Sequence, residues 1–89
     1  MVKEELLNIL KNIKDKKESF KQIRQIIADS KVKDFTPLYT FLYDNLDEFA
    51  TGTIASCILI IAEAQYTDSH VVDKEINIMS MFVKLMNEL

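Results

Sequence analysis

The chain has few of the residues that interrupt or cross-link a backbone. Gly52, Pro37, Cys57 and His70 are each the only one of their kind among 89 residues, and tryptophan is absent. So little glycine argues against a β fold, which needs it at hairpin turns. A single cysteine excludes an internal disulfide, so an intracellular location is expected, in the cytoplasm or nucleoid. The longest apolar run, IASCILIIA at 54–62, is about half of the roughly 20 residues that a membrane span needs, and no membrane contact is expected. The start MVKEELLNIL carries acids and no small-residue cleavage site, so no signal peptide is read there. With one glycine there is no Gly-rich loop to cradle a phosphate, and the ligand count excludes zinc. His70 lies in a polar stretch, and Cys57 lies in the most apolar segment, where a free cysteine behaves as a small hydrophobe. No catalytic, cofactor-binding or metal site is read from these residues, and the chain itself is not expected to be an enzyme.

At 48% hydrophobic and 28% charged, the composition is neither that of a disordered chain nor that of a membrane protein. The expected fold is all-α: a compact five-helix bundle forming one domain over 1–89, with helices at about 2–14, 19–31, 36–50, 53–66 and 73–88. In the first, Leu6, Ile9, Leu10 and Ile13 form one stripe at i, i+3, i+4 and i+7. Ser19 opens the second, where SFKQ fits a capping box with Gln22, and Phe20, Ile23, Ile26 and Ile27 form its apolar face. Thr36-Pro37 opens the third with a hydroxyl at the cap and proline in the first turn. Leu38, Phe41, Leu42, Leu46 and Phe49 continue it. The fourth is apolar on nearly every side, which predicts a central, wholly buried helix. Asp73 caps the fifth, with Glu75 beside the positive helix start.

Charge is unevenly placed. Residues 1–33 hold nine Lys/Arg against five Asp/Glu, and residues 34–89 hold two against nine. Two solvated faces account for this, as does a basic face that meets an acidic face on a neighbouring subunit.

Candidate core residues are Ile54, Cys57, Ile58 and Ile61 on the fourth helix and Phe82 and Leu85 on the fifth. On that last helix Met79, Val83 and Met86 form a second stripe about 100° from the first. One stripe serves the core of the domain, and the second is expected to meet another subunit. Glu63 interrupts the apolar fourth helix. It occupies a sliver of exposed surface, or it forms a hydrogen bond to a helix terminus or a charge pair across an interface, because an unpaired buried carboxylate is costly. Glu63, Met79, Val83 and Met86 are therefore the candidate interface residues.

The stretch IIAEAQYTDSHVVDKEINIMSMFVKL, residues 60–85, resembles the end of the C-terminal collar domain of clamp-loader ATPase subunits. These are the replication factor C small subunits of archaea and eukaryotes and the corresponding T-even-type phage protein. Ala62-Glu63 matches the small residue and Glu that close the family's buried helix, and Asp73 stands where the family favours Asn as a cap. Glu75, Ile76, Ile78, Met81, Phe82, Lys84 and Leu85 follow at matching spacing. Val71-Val72 depart from the Gly or Ala usual before that cap. Upstream, FKQIRQII and DFTPLYTFLYDNL resemble the two preceding helices. The resemblance implies a collar cut from a longer AAA+ subunit. Such collars associate side by side and hold ATPase modules in a ring that loads a sliding clamp on primer–template DNA at the replication fork. Partners would be other clamp-loader subunits, with clamp and DNA met only through the ATPase modules. No GxxxxGK[ST] occurs, so this chain would not hydrolyse ATP. The alternative is a stand-alone helical adaptor that binds a partner helix in an apolar groove.

Overall fold

The first helix boundary set by a side chain lies at Asp15. Its carboxylate accepts from the backbone N–H of Lys17 at 3.0 Å and of Glu18 at 3.4 Å, satisfying two donors that a helix start leaves unpaired. In the computed structural model, which describes residues 2–89, helix α2 therefore begins at Lys16 and runs to Ser30. The expected Ser19–Gln22 capping box does not form. Ser19 lies inside the helix and is buried. The earlier helix, α1, spans Val2–Lys11 and stops three residues short of the expected end, leaving Ile13 in the link.

Helix α2 is capped after Ser30 by Lys31, whose φ of 56° and ψ of 26° are left-handed. Helix α3, Thr36–Asp44, follows with Pro37 in its first turn, where the missing N–H costs nothing. Its cap differs from expectation: Asp34, not Thr36, supplies the acceptor, taking the Thr36 N–H at 3.0 Å. That bond holds the exposed Asp34 carboxyl below its ordinary pKa.

The expected third helix breaks at Asn45. Its backbone leaves the helical region, at φ −116° and ψ 20°, and its side-chain amide donates to the Phe41 carbonyl at 2.7 Å. Asparagine competes for backbone partners in this way and so favours helix ends. The short α4, Leu46–Phe49, follows and buries both Leu46 and Phe49. The bundle thus has six helices among the described residues, not five, and every regular element is helical. The last two are α5, Ile54–Asp68, and α6, Lys74–Glu88. Asp73 caps α6 as expected, accepting from Glu75 and Ile76 at 3.0 and 3.1 Å.

Helices α5 and α6 form the most extensive contact; α2 closes over α6, α3 and α4 over α5, and α1 over α2, α3 and α4. All six contribute to one core, in which Leu6, Ile23, Leu42, Cys57, Ile78, Phe82 and Leu85 are fully enclosed. Full burial of a side chain such as Phe82 is worth about 1.5–3 kcal/mol.

The central helix is α6, and this corrects the expectation for the fourth helix. Six residues of α6 are buried, from Ile78 to Met86, against Cys57, Ile61, Ala64 and Asp68 on α5. Because α2 and α5 flank α6 on two sides, Met79 and Met86 of its second stripe are covered within the chain, while Val83 stays exposed. Met79 is 9% exposed and Met86 is buried. They are core residues, not a free flank.

Candidate interaction surface

Helix α5 carries two apolar stripes of identical spacing. Cys57, Ile61, Ala64 and Asp68 lie at i, i+4, i+7 and i+11 and face the core. Ala55, Leu59, Ala62 and Tyr66 repeat that pattern two residues out of phase, about 200° round the helix, and face solvent. Leu59 is 71% exposed and Tyr66 70%. Beside them α3 presents the exposed Tyr43, and a groove of about 250 Å³ between α3 and α5 is lined by Tyr39, Thr40, Tyr43, Ile58, Ala62 and Gln65. The result is an apolar ridge with an apolar groove along one side.

A polar cluster fixes which stripe faces out. The Tyr39 hydroxyl, buried under α5, donates to Asp68 Oδ1 at 2.9 Å. The Asn77 side-chain amide, on α6, donates to the Ala64 carbonyl at 3.0 Å and to the Tyr39 hydroxyl at 3.3 Å. Thr67 Oγ1 donates to Asn77 Oδ1 at 2.9 Å. Lys74 Nζ pairs with Asp68 Oδ2 at 3.2 Å and also donates to the Asp68 carbonyl. Burial, and then the Asp68 carboxylate, push the Tyr39 hydroxyl well above the ordinary tyrosine pKa, so it stays protonated and donates. Among the described residues no buried side-chain N or O lacks a partner. Rotating α5 to bury Leu59 would expose this cluster and strand Tyr39, so the apolar ridge stays outside.

The residues singled out from the sequence fall in different places. Cys57, Ile61, Phe82 and Leu85 are core. Ile58 is half-buried, and Ile54, expected in the core, is 39% exposed in the first turn of α5. Burial raises the Cys57 thiol pKa, and its contact with the Thr53 hydroxyl at 3.7 Å does not reverse this, so the thiol is held as a neutral hydrophobe. Val83 is part-exposed on α6. Glu63 is exposed and pairs at 2.7 Å with Lys84 of its own chain, whose hydrogen bond and charge hold the carboxyl below its ordinary pKa. His70 lies exposed beyond α5, with Nδ1 3.0 Å from the Tyr66 carbonyl and its ring 4.9 Å from the Tyr66 ring, bracing the end of the ridge.

Leu59, Ala62, Ala55 and Tyr66 were missed as surface residues, although their 4-3-4 spacing is plain in the sequence. A second stripe of the same spacing stands opposite, and hydropathy gives no preference between them. Among the described residues no group of three or more His, Cys, Asp or Glu side chains is placed to hold a metal ion. No helix there is long and apolar enough to cross a membrane. Compared with known protein families, curated proteins and solved structures, the chain matches none.

Proposed function

We propose that this chain is a non-enzymatic assembly module of the clamp-loader collar type, which docks on a sister domain and so helps to hold ATPase-bearing subunits in a ring. The observation that carries the reading is the outward stripe of α5. Leu59, 71% exposed, and Tyr66, 70% exposed, form with Ala55 and Ala62 one continuous outward strip on a single helix, and contiguous exposed apolar surface marks interaction sites. Burying each would return up to about 1.5–3 kcal/mol, which offsets part of the roughly 4–15 kcal/mol that association costs. The order of matching residues from 60 to 85 supports the choice of the collar over other assembly modules. The clamp and the DNA would be contacted by the ATPase modules, not by this chain.

The test is co-purification and sedimentation of the chain with replication factor C-type small subunits. The wild-type chain is expected to enter a multi-subunit complex, and Leu59→Asp, which alters only an exposed position, is expected to be excluded from it while remaining helical. Equal incorporation of Leu59→Asp would refute the reading.

The groove between α3 and α5 favours a second reading, an adaptor that receives a partner's helix. Thr40→Arg would block that groove and leave Leu59 and Tyr66 untouched, so loss of binding by this variant alone selects the adaptor.

A further inference from the structure

The outward stripe of α5 alternates small and large side chains: Ala55, Leu59, Ala62, Tyr66. All four are exposed, as are Ser56 and Glu63 along one edge, so the crown of the helix stands clear of its own chain. The 4-3-4 spacing is that of a heptad seam, in which each side chain enters a hole on a facing helix. At a rise of 1.5 Å per residue the seam is about 16 Å long. The His70 ring, 4.9 Å from that of Tyr66, braces one end.

The order of sizes restricts how such a seam is filled. Were two copies of α5 to run parallel and in register, alanine would face alanine and leucine would face leucine. The large layers would then hold the helices apart and leave the small layers empty. In an antiparallel pair, with a two-fold axis between Ile60 and Ile61, Leu59 of each copy faces Ala62 of the other, and Tyr66 faces Ala55. Every layer then joins one large side chain to one small one. The alanines let the helix axes approach to about 8 Å, the near end of the usual range. At the edge of the seam Glu63 is paired with Lys84 of its own chain at 2.7 Å, so two copies bring no unpaired carboxylates together there.

We infer that the outward stripe of α5 is complementary to itself, and that the free chain pairs through it with a second copy, antiparallel and two-fold. This rests on the reading of that stripe as a docking surface, and it adds how the surface is masked. A two-fold contact uses the same patch on both copies and is complete at two. It is therefore not the contact that continues round a ring. It occupies the side chains that would dock there, so the pair parts before either copy joins another subunit. Four residues a side form the seam, against roughly 20–30 in a standard interface, and the pair is accordingly weak and reversible.

Exchanging the two central residues tests this by sedimentation equilibrium. Wild type is expected to pass from monomer to dimer with rising concentration. Leu59→Ala underfills two layers and Ala62→Leu overfills two, because each change enters a two-fold contact twice; either should weaken pairing at least about tenfold. Leu59→Ala combined with Ala62→Leu again sets large against small, and should pair within about threefold of wild type. Alanine and leucine are both good helix formers and the positions are exposed, so the fold is kept, which circular dichroism verifies. Ala62→Leu that associates more strongly than wild type overturns the seam in favour of non-specific apolar contact. Loss in both single variants without recovery in the double overturns the two-fold register. A strictly monomeric wild type, or species larger than a dimer, overturns the pairing. Replication factor C-type small subunits that take up the chain should dissolve the pair, and uptake of an intact dimer overturns the masking. Failure to enter any such complex removes the collar reading, and the exchange variants still decide the self-pairing.

Discussion

Replacing Tyr39 with phenylalanine isolates the bond that orients α5. The ring is 1% exposed and its shape is kept, so hydrophobic burial and packing are unchanged. What disappears is the hydroxyl that donates to Asp68 Oδ1 at 2.9 Å and accepts from Asn77 at 3.3 Å. Neither partner is left bare: Asp68 keeps Lys74 at 3.2 Å, and Asn77 keeps the Ala64 carbonyl at 3.0 Å. The loss is therefore one hydrogen bond to a charged acceptor, about 1.5–3 kcal/mol, since Asp68 Oδ1 loses Tyr39 while Oδ2 keeps Lys74. In a domain of this length, about 2 kcal/mol lowers Tm by roughly 8–16 °C. Asp68→Ala should cost more, since it strands the buried Tyr39 hydroxyl and frees Lys74. Urea titration followed by circular dichroism measures both, and an unchanged m-value would show that the denatured state is unaffected. Stability of Tyr39→Phe within about 0.5 kcal/mol of wild type, the range of an ordinary surface change, would refute the role given to this cluster.

Three further outcomes are expected. Because the pKa of Tyr39 is raised in the folded state, its contribution is fully present below the ordinary tyrosine pKa of about 10 and is lost as pH rises above it, where the unfolded chain ionises first. Alkaline denaturation should therefore be shallower in Tyr39→Phe than in wild type, and identical alkaline limbs would contradict the burial of the hydroxyl. Met79→Asp should destabilise the fold by about 4 kcal/mol or more by placing a charge in the core, whereas Leu59→Asp should stay within about 0.5 kcal/mol; thermal melts giving the reverse order would mean that core and surface are misassigned. Lys31→Gly should raise stability by up to about 1 kcal/mol, because glycine adopts the left-handed conformation at the end of α2 without a side-chain penalty; a loss in chemical denaturation would argue against that backbone geometry.

The helical class and the Asp73 cap were legible in the sequence because scarce glycine, periodic apolar positions and a short acceptor before a polar first turn all point one way. Asp15 was legible too: with Glu18 three residues on, it forms a better start signal than Ser19, yet the lysines around it read as a link. Asn45 was harder, because the apolar stripe runs straight across it from Leu42 to Leu46, and the break shows only once its side chain takes the Phe41 carbonyl. The exposed ridge was not legible at all. Nothing local tells Leu59 from Ile61; the choice is made by Asp68, a residue that composition alone would turn outward, and by Tyr39, 29 residues away, whose hydroxyl draws it in. Met79 and Met86 were misplaced for a similar reason. A second apolar stripe reveals that a helix has two neighbours, without revealing that both belong to its own chain.

The Asp68–Lys74 pair has a bearing on how the chain folds. It joins the last turn of α5 to the first turn of α6 across six positions, so the loop it closes is short and its closure costs little conformational entropy. The largest helix–helix contact in the molecule is thus also among the most local, and the α5–α6 hairpin can form before α1 and α2 find their places. Leu59 and Tyr66 would then already stand exposed on a nascent hairpin, ahead of the completed bundle, so the same side chains that suit assembly also make the early folding stages sensitive to crowding by other copies.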